Sequence, residues 1–267
     1  MRGYVGKLFL RQSSCDVIKM KGVVPAAGKG ERLEPLTLAM PKELIRVGHK
    51  PVIEHVIDNL KACDVRDVLV ITGWKKGAVL DYLGSGERLG VNIYYRVQDE
   101  QKGIAHAVNQ ARDWIGDEDF TVIYGDNYFK PPENISKAVE FHRKKGALAT
   151  LVLHPVKDPT RFGIVKVDQD GKVLAMIEKP SLEEAEPYKT DGVYYNIAGL
   201  VILNPKIFEY IDKTPPGRNN EIQMTDAIEL MRKDGHPVYG FIFEGIRYDI
   251  GTFESLKDAD MQHLNDG

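Results

Sequence analysis

Short apolar runs alternate with segments of helical periodicity from Lys21 onward, and this alternation constrains the fold more than any other feature. Strand-length runs occupy 67–72, 92–98 and 120–124, and segments with a 3.6-residue apolar period lie between and after them. One of these segments, 103–115, is expected to form a single helix. Such alternation is typical of a mostly parallel sheet with helices on both faces. We therefore predict an α/β, Rossmann-like fold whose ligands bind beyond the carboxyl ends of the strands.

The second half of the chain is richer in strands. We predict strands at 149–155, 163–167, 173–177 and 194–203, the second and third joined by a tight turn at 168–171 that contains Asp-Gly. A late strand and a C-terminal helix that starts near 253 follow. We therefore expect a smaller β-rich lobe beside the parallel sheet.

Composition excludes several classes of protein. Hydrophobic residues make up 43% of the 267 positions, enough for a sizeable core, and no apolar run approaches the length of a membrane span. Lys and Arg number 36 against 39 Asp and Glu, so no excess of positive charge indicates nucleic acid as a partner. Two cysteines are too few for a disulfide framework and favour a reducing compartment, so we expect a cytoplasmic protein.

Residues 1–19 differ from the rest of the chain. They are basic, and their apolar run is too interrupted for a signal peptide. Met20 directly precedes the first strand, so we expect a disordered or misassigned extension that ends there. The alternative is an N-terminal arm that packs on the protein or mediates assembly.

The segment from Gly22 to Lys42 contains an apolar run, a turn of small residues and flanking cations, a pattern that suits a polyphosphate. It is not a Walker A loop, because five residues separate Gly22 from Gly28 and no Ser or Thr follows the lysine. It is not a Rossmann fingerprint either, because Leu33 stands where a small residue is needed and the next strand ends without a carboxylate. A tight turn with incidental charges is the simpler alternative.

Two aspartates have the chemistry of a magnesium site. Asp126 follows a buried strand, and Asp249 lies in a short polar segment far along the chain. Mg²⁺ is usually held by one or two carboxylates together with substrate phosphate oxygens. Considered singly, Asp126 is equally suited to a turn and Asp249 to the start of a helix.

Glu178 and Lys179 close a strand just before Pro180, where one side chain could contact a sugar hydroxyl and the other a phosphate if the chain turns. An exposed, charged strand end is the alternative. The histidines form no metal-ligand spacing, and His106 is expected to be a half-buried helix residue rather than a base. Cations, carboxylates and no protein nucleophile favour phosphoryl or nucleotidyl transfer.

At this point the chain resembles the sugar-1-phosphate nucleotidylyltransferases, also called NDP-sugar pyrophosphorylases. The resemblance runs from about Met20 to the C-terminus, and its opening motif G-x-G-x-R-L-x-P-L-T with a later P-K matches 28–37 and 41–42. The later landmarks also fall in order: Val97-Gln98, Gly103-Ile104-Ala105-His106-Ala107, Gly125-Asp126-Asn127, Arg161-Phe162-Gly163, Glu178-Lys179-Pro180 and Asp249-Ile250-Gly251-Thr252.

The resemblance implies a role for each matching residue on the nucleotide side. Arg32 would bind the β and γ phosphates, Lys42 would align the triphosphate, and Gln98 and Gly103 would contact the pyrimidine edge. The loop that would cradle the triphosphate comprises Ala26, Ala27, Gly28, Lys29 and Gly30.

The resemblance also implies the sugar side and the metal. Asp126, which would also contact the nucleotide, and Asp249 would hold Mg²⁺, while Lys179 would bind the phosphate of the sugar 1-phosphate. The residues that would face the sugar are Gly163, Glu178 and Ile197. The implied organisation is a nucleotide-binding lobe at 20–148, a sugar-phosphate lobe at 149–252 and a C-terminal helix at 253–267, in a family that forms homo-oligomers.

The choice of nucleotide stays open between dTTP and UTP, with glucose 1-phosphate as the expected sugar. The sequence 25–28 (PAAG) and the segment 221–228 (EIQMTDAI) are similar to bacterial uridylyltransferases, whereas 125–127 and 158–163 are similar to thymidylyltransferases. The two triphosphates differ by one methyl and one hydroxyl, so a few side chains decide between them. We lean slightly toward dTTP. Arg218 is displaced by one position from the phosphate-binding arginine of thymidylyltransferases, which leaves its role open.

Two rival functions remain. A catalytically idle, nucleotide-sugar-binding regulatory subunit is possible, but every charged residue that the chemistry needs is present. A nicotinamide-dependent oxidoreductase is disfavoured by Leu33 and by the missing ribose carboxylate.

Overall fold

The computed structural model describes residues 20–217 and 220–265. The predictions for residues 1–19 and for Arg218 lie outside this range. The strands are β1 (Lys21–Ala26), β2 (Arg46–Val47), β3 (Lys50–Pro51), β4 (Asp67–Thr72), β5 (Asn92–Val97), β6 (Phe120–Ile123), β7 (Asn127–Lys130), β8 (Ala149–Val156), β9 (Gly163–Val167), β10 (Val173–Glu178), β11 (Tyr194–Leu203), β12 (Val238–Ile242) and β13 (Ile246–Asp249). The helices are α1 (Leu36–Ala39), α2 (Val52–Ala62), α3 (Lys76–Leu83), α4 (Ile104–Asn109), α5 (Arg112–Ile115), α6 (Glu133–Lys145), α7 (Leu182–Ala185), α8 (Ile207–Lys213), α9 (Met224–Lys233) and α10 (Phe253–Asn265).

One central sheet runs through the described chain in the order β10-β9-β11-β6-β1-β4-β5, and β8 pairs with both β11 and β12. Strands β6, β1, β4 and β5 are parallel to one another. The second half of the chain joins this sheet through β11, which pairs antiparallel with β6, β8 and β9. The predicted α/β class is confirmed, with a parallel half and a β-rich antiparallel half.

The sheet carries apolar side chains on both faces. In β1, Val23 belongs to the core on one face and Val24 to the core on the other, and in β4 Leu69 and Val70 alternate in the same way. Successive residues of a strand point to opposite faces, so burial on both sides requires a nearly continuous apolar run. This explains why these strands are uninterrupted apolar runs in the sequence.

The carboxyl ends of β1, β5 and β6 lie at one edge of the sheet, as predicted. Beyond β6 the chain turns through Gly125 and Asp126 into β7, whose one partner among the described strands is β13. In that pair Asn127 lies opposite Asp249. The small β7–β13 ribbon therefore delivers the distant aspartate of the sequence to the carboxyl end of β6.

Three local features of the structure can be compared with the sequence predictions. The single helix expected over 103–115 is divided into α4 and α5, because Gln110 and Ala111 bond to carbonyls three residues back, at 3.0 and 2.9 Å. The tight turn before β10 is confirmed, with Gly171 N donating to Asp168 O at 3.0 Å. Strands β7 and β13, of four residues each, were not predicted. No helix among the described residues is long and apolar enough to cross a membrane.

Candidate active site

The loop after β1 folds closely around Lys42. Gly30 has φ +71°, and a Cβ at this position would lie 2.9 Å from Thr37 Cγ2 and 3.2 Å from Lys42 Cβ. The Thr37 hydroxyl donates to Gly30 O at 3.0 Å and holds the turn. A side chain at position 30 would push the loop away from the lysine, so the glycine is required by both conformation and space.

A cavity of about 380 Å³ opens beside this loop. We call it the β1 cavity. The predicted site residues that line it are Ala27, Gly28, Arg32, Lys42, Gln98, Gly103 and Asp126. Three other predicted residues do not line it, because Ala26 is buried in the core, Lys29 points to solvent and Gly30 packs against Lys42.

Gln98 is held in one orientation in the β1 cavity. Its Nε2 donates to Gly103 O at 3.2 Å and lies 2.8 Å from His106 Nδ1. Gly103 itself has φ +96° and no room for a side chain, since a Cβ would lie 2.7 Å from Ile222 O. The start of α4 therefore packs against the segment before α9, and Gln98 lies at this junction.

A second cavity, of about 390 Å³, adjoins the first and lies at the end of β10. We call it the β10 cavity. The predicted site residues that line it are Arg32, Asp126, Gly163, Glu178, Lys179, Ile197 and Asp249.

A turn at the end of β10 brings Glu178 and Lys179 to the same cavity. In a regular strand they would point to opposite faces, but Lys179 has φ +45° and its Nζ lies 3.6 Å from Glu178 Oε1. The other carboxylate oxygen accepts from the Thr225 hydroxyl at 2.6 Å. A Cβ at Gly163 would lie 2.7 Å from that hydroxyl and 2.8 Å from Glu178 Oε2, so this position needs glycine.

Polar contacts connect Asp126 to Asp249. Asn127 Nδ2 donates to Asp126 Oδ1 at 2.6 Å, and Arg247 Nε donates to Asn127 Oδ1 at 2.8 Å. Arg247 Nη2 then donates to Asp249 Oδ2 at 2.7 Å. The pairing of β7 with β13 makes this series possible, because it places all four residues on one short ribbon and the turn before it.

The two aspartates have pKa values shifted in opposite directions. Burial alone would raise the pKa of Asp126, but the ammonium of Lys42, which pairs with Asp126 Oδ2, outweighs it and lowers that pKa. Burial raises the pKa of Asp249, and the Asp126 charge raises it further despite Arg247. Burial lowers the pKa of Lys42, but Asp126 and Glu43 more than compensate and the net shift is upward.

These carboxylates suit a hard divalent cation. Asp249 resists ionisation because it is buried beside Asp126, and a cation would relieve that repulsion. The described residues contain no group of three or more His, Cys, Asp or Glu side chains placed to hold a metal. Two carboxylates are what Mg²⁺ uses when substrate phosphates supply the remaining ligands.

Residues that line both cavities form their junction. They are Arg32, Ile104, Tyr124, Asp126 and Glu221. Burial raises the pKa of the Tyr124 phenol, and the charges of Glu178 and Asp126 raise it further, so this side chain stays a hydrogen-bond donor at neutral pH. A ligand that fills both cavities passes Tyr124 and Asp126.

Sequence reasoning missed Tyr124, Glu43, Thr225 and Arg247. Tyr124, Glu43 and Arg247 each lie within two residues of a motif given above, and Thr225 lies within the segment 221–228, but no pattern assigned them a role. Glu43 lines the β1 cavity with 1% of its surface exposed, and neither carboxylate oxygen has a hydrogen-bond partner among the described residues. Its pKa is raised to about 7, chiefly by burial. A charged residue that directly follows Lys42 was the available clue.

Known proteins share this architecture. A sequence model of the family described as "Nucleotidyl transferase" matches residues 21–266. The low-salt glycan biosynthesis nucleotidyltransferase Agl11 of Haloferax volcanii is 35% identical over 92% of this chain and 67% of its own length. A UTP–glucose-1-phosphate uridylyltransferase of Staphylococcus haemolyticus is 33% identical over 91% of this chain and 94% of its own.

A solved structure of a related protein has the same fold. A UDP-glucose pyrophosphorylase in complex with UDP-glucose superposes with a TM-score of 0.84 and 27% identity, over 93% of this chain and 99% of that one. This chain belongs to the sugar-1-phosphate nucleotidyltransferase family. The resemblance inferred from the motifs is therefore confirmed.

Proposed function

We propose that the protein condenses UTP with glucose 1-phosphate to give UDP-glucose and pyrophosphate. One observation carries this proposal: a cavity beside a small-residue loop with Arg32 and Lys42 adjoins a cavity with Glu178 and Lys179, and the two meet at Asp126. A nucleoside triphosphate fits the first and a sugar phosphate the second, with their phosphates at the junction.

From the sequence we slightly favoured dTTP as the substrate, and we now prefer UTP. The relative from Staphylococcus haemolyticus is named for UTP, and the solved neighbour is named for UDP-glucose. A methyl-sized difference is worth only about 1–3 kcal/mol, so dTTP remains the competing substrate.

In the proposed reaction an oxygen of the sugar phosphate attacks the α-phosphorus of UTP. The new bond joins the sugar phosphate to that phosphorus, and the bond from the α-phosphorus to the bridging oxygen breaks to release pyrophosphate. Lys179 holds the attacking phosphate, while Lys42 and Arg32 bind the triphosphate. In-line displacement requires the attacking oxygen and the departing pyrophosphate to lie on opposite sides of the α-phosphorus.

Asp126 and Asp249 are the proposed Mg²⁺ ligands. Mg²⁺ bound there would neutralise phosphate charge and favour departure of pyrophosphate. Asn127 and Arg247 keep the two carboxylates in place through their hydrogen bonds.

Pyrophosphate release tests the proposal. Purified protein with Mg²⁺ is given UTP, dTTP, CTP, ATP or GTP, each with glucose 1-phosphate or a second hexose 1-phosphate. We expect the fastest release with UTP and glucose 1-phosphate, and UDP-glucose as the other product. Tight nucleotide binding without release from any pair would support the idle regulatory subunit instead.

A further inference from the structure

The orientation of the Gln98 amide follows from its two partners. A backbone carbonyl only accepts hydrogen bonds, so the group 3.2 Å from Gly103 O must be the amide nitrogen. The second N–H of that nitrogen then points to His106 Nδ1 at 2.8 Å. Both amide hydrogens are therefore used, and Gln98 has only its carbonyl oxygen left for a ligand.

The same contacts determine the state of His106. Because Nδ1 accepts a hydrogen bond from the Gln98 amide, the imidazole must be neutral with its hydrogen on Nε2. Burial and the nearby Lys102 lower the pKa of His106, while Glu100 acts in the opposite direction. These two charged groups lie on the loop before α4 and pair with each other. His106 is thus neutral over the physiological range.

We infer that His106 is a positioning residue that makes Gln98 select uracil or thymine over cytosine, an inference that rests on the proposed function. Among the described contacts no donor reaches Gln98 Oε1, and Gln98 lines the β1 cavity. Uracil and thymine carry a donor at N3, which a carbonyl oxygen accepts. Cytosine carries a lone pair at N3, which that oxygen repels.

A protonated His106 would remove this selection. Its Nδ1 would then carry a hydrogen and face the amide N–H, so two donors would confront each other at 2.8 Å. The amide could relieve the conflict only by rotating, and rotation would place Oε1 against Gly103 O, where two acceptors repel. The neutral imidazole and the Gly103 carbonyl therefore act together on one amide.

Three variants test this inference with both catalytic and binding readouts. His106→Phe removes the acceptor, and His106→Gln restores one through its own amide oxygen. His236→Phe is the matched control, because His236 is also half-buried but contacts Tyr210, with ring centroids 5.8 Å apart, outside both cavities. For each variant we measure kcat/KM with UTP and CTP, the KM for glucose 1-phosphate, and the Kd of UTP and CTP by calorimetry.

We expect His106→Phe to lower kcat/KM for UTP about 10-fold and the preference for UTP over CTP by a similar factor. The KM for glucose 1-phosphate should not change, His106→Gln should recover most of the loss, and His236→Phe should match the wild type. UTP affinity of the wild type should also weaken more steeply than that of His106→Gln as the pH falls below the ordinary histidine pKa of about 6.5, because protonation of the UTP phosphate affects both proteins equally.

An unchanged UTP-to-CTP ratio in His106→Phe overturns the inference. So does an equal loss for both nucleotides without rescue by His106→Gln, because His106 would then only support α4. If the wild type binds UTP in preference to CTP but releases no pyrophosphate, the proposed reaction fails, and the calorimetric ratios still decide the role of His106.

Discussion

The β1 cavity and the β10 cavity share Asp126, but different kinds of structure form them. Loops that follow parallel strands form most of the β1 cavity, and its buried acid, Glu43, has no hydrogen-bond partner in the part of the chain that the structure describes. Antiparallel strands and helix α9 line much of the β10 cavity, where Glu178 accepts a hydrogen bond from Thr225. The first cavity thus contains an unsatisfied charge, whereas the carboxylate of the second is already fixed in one orientation.

This difference bears on function. A buried carboxylate without partners costs stability and persists where binding or catalysis uses it. A carboxylate fixed by a neighbouring hydroxyl instead offers one defined acceptor to a ligand. We therefore expect the β1 cavity to act on its ligand through charge, and the β10 cavity to act on its ligand through the fixed orientation of its side chains.

The largest effect should come from the residue that both cavities share. We expect Asp126→Asn to lower kcat about 10³-fold, because it removes a proposed metal ligand and the partner of Lys42 while keeping the side-chain shape. Pyrophosphate release measures the change. Asp119→Asn is the control, since Asp119 contacts His142 and Asn204 outside both cavities. Activity within 10-fold of wild type in Asp126→Asn would remove Asp126 from the chemistry.

The next variant affects the β10 cavity alone. Lys179→Met should raise the KM for glucose 1-phosphate about 100-fold and leave the Kd of UTP unchanged, because a charge-assisted contact to the sugar phosphate is lost. Lys166→Met serves as the control, since Lys166 Nζ bonds to Pro187 O away from the site. Steady-state kinetics and calorimetry separate the two substrates. If UTP binding falls equally, the division into two cavities is wrong.

The residues of the β1 cavity follow from local sequence patterns more directly than those of the β10 cavity, although every residue expected to face the sugar or its phosphate lines the β10 cavity. Gly28, Arg32 and Lys42 lie in the single segment between β1 and β2, and Gln98 follows the end of a parallel strand, so local pattern and sheet topology suffice. In the β10 cavity, Glu178 at the end of β10 and Thr225 on α9 are 47 positions apart and meet only where α9 packs against β10. The packing of a helix on a distant strand determines such contacts, and periodicity in a single sequence does not specify it.

A smaller effect should follow when the hydroxyl on Glu178 is removed. Thr225→Val should raise the KM for glucose 1-phosphate about 10-fold, because the carboxylate loses the donor that orients it, and Thr225→Ser should restore binding. Thr214→Val is a matched control, since its buried hydroxyl donates to Tyr210 O at 2.7 Å outside both cavities. Equal KM values in Thr225→Val and wild type would show that Glu178 needs no fixed orientation.

The smallest effect is on stability and concerns Glu43. Its pKa of about 7 in the folded protein lies above its ordinary value of 4.5, so the folded state binds the proton more tightly than the unfolded state does. The cost of this carboxylate is therefore absent below pH 4.5, grows between pH 4.5 and 7, and is constant above that, at up to about 3 kcal/mol. Lost attraction to Lys42 offsets part of the gain from neutralising it.

We therefore expect Glu43→Gln to raise the free energy of unfolding by about 1–2 kcal/mol at pH 8 and to leave it nearly unchanged at pH 4.5. Urea denaturation at both pH values measures this. Glu54→Gln is the control, because Glu54 is also buried, with 8% of its surface exposed, but accepts from Tyr82 at 2.8 Å and pairs with Arg88 at 2.5 Å, so it should lose stability at pH 8. If Glu43→Gln also lost stability at pH 8, the unsatisfied charge would not be a cost, and the contrast between the two cavities would disappear.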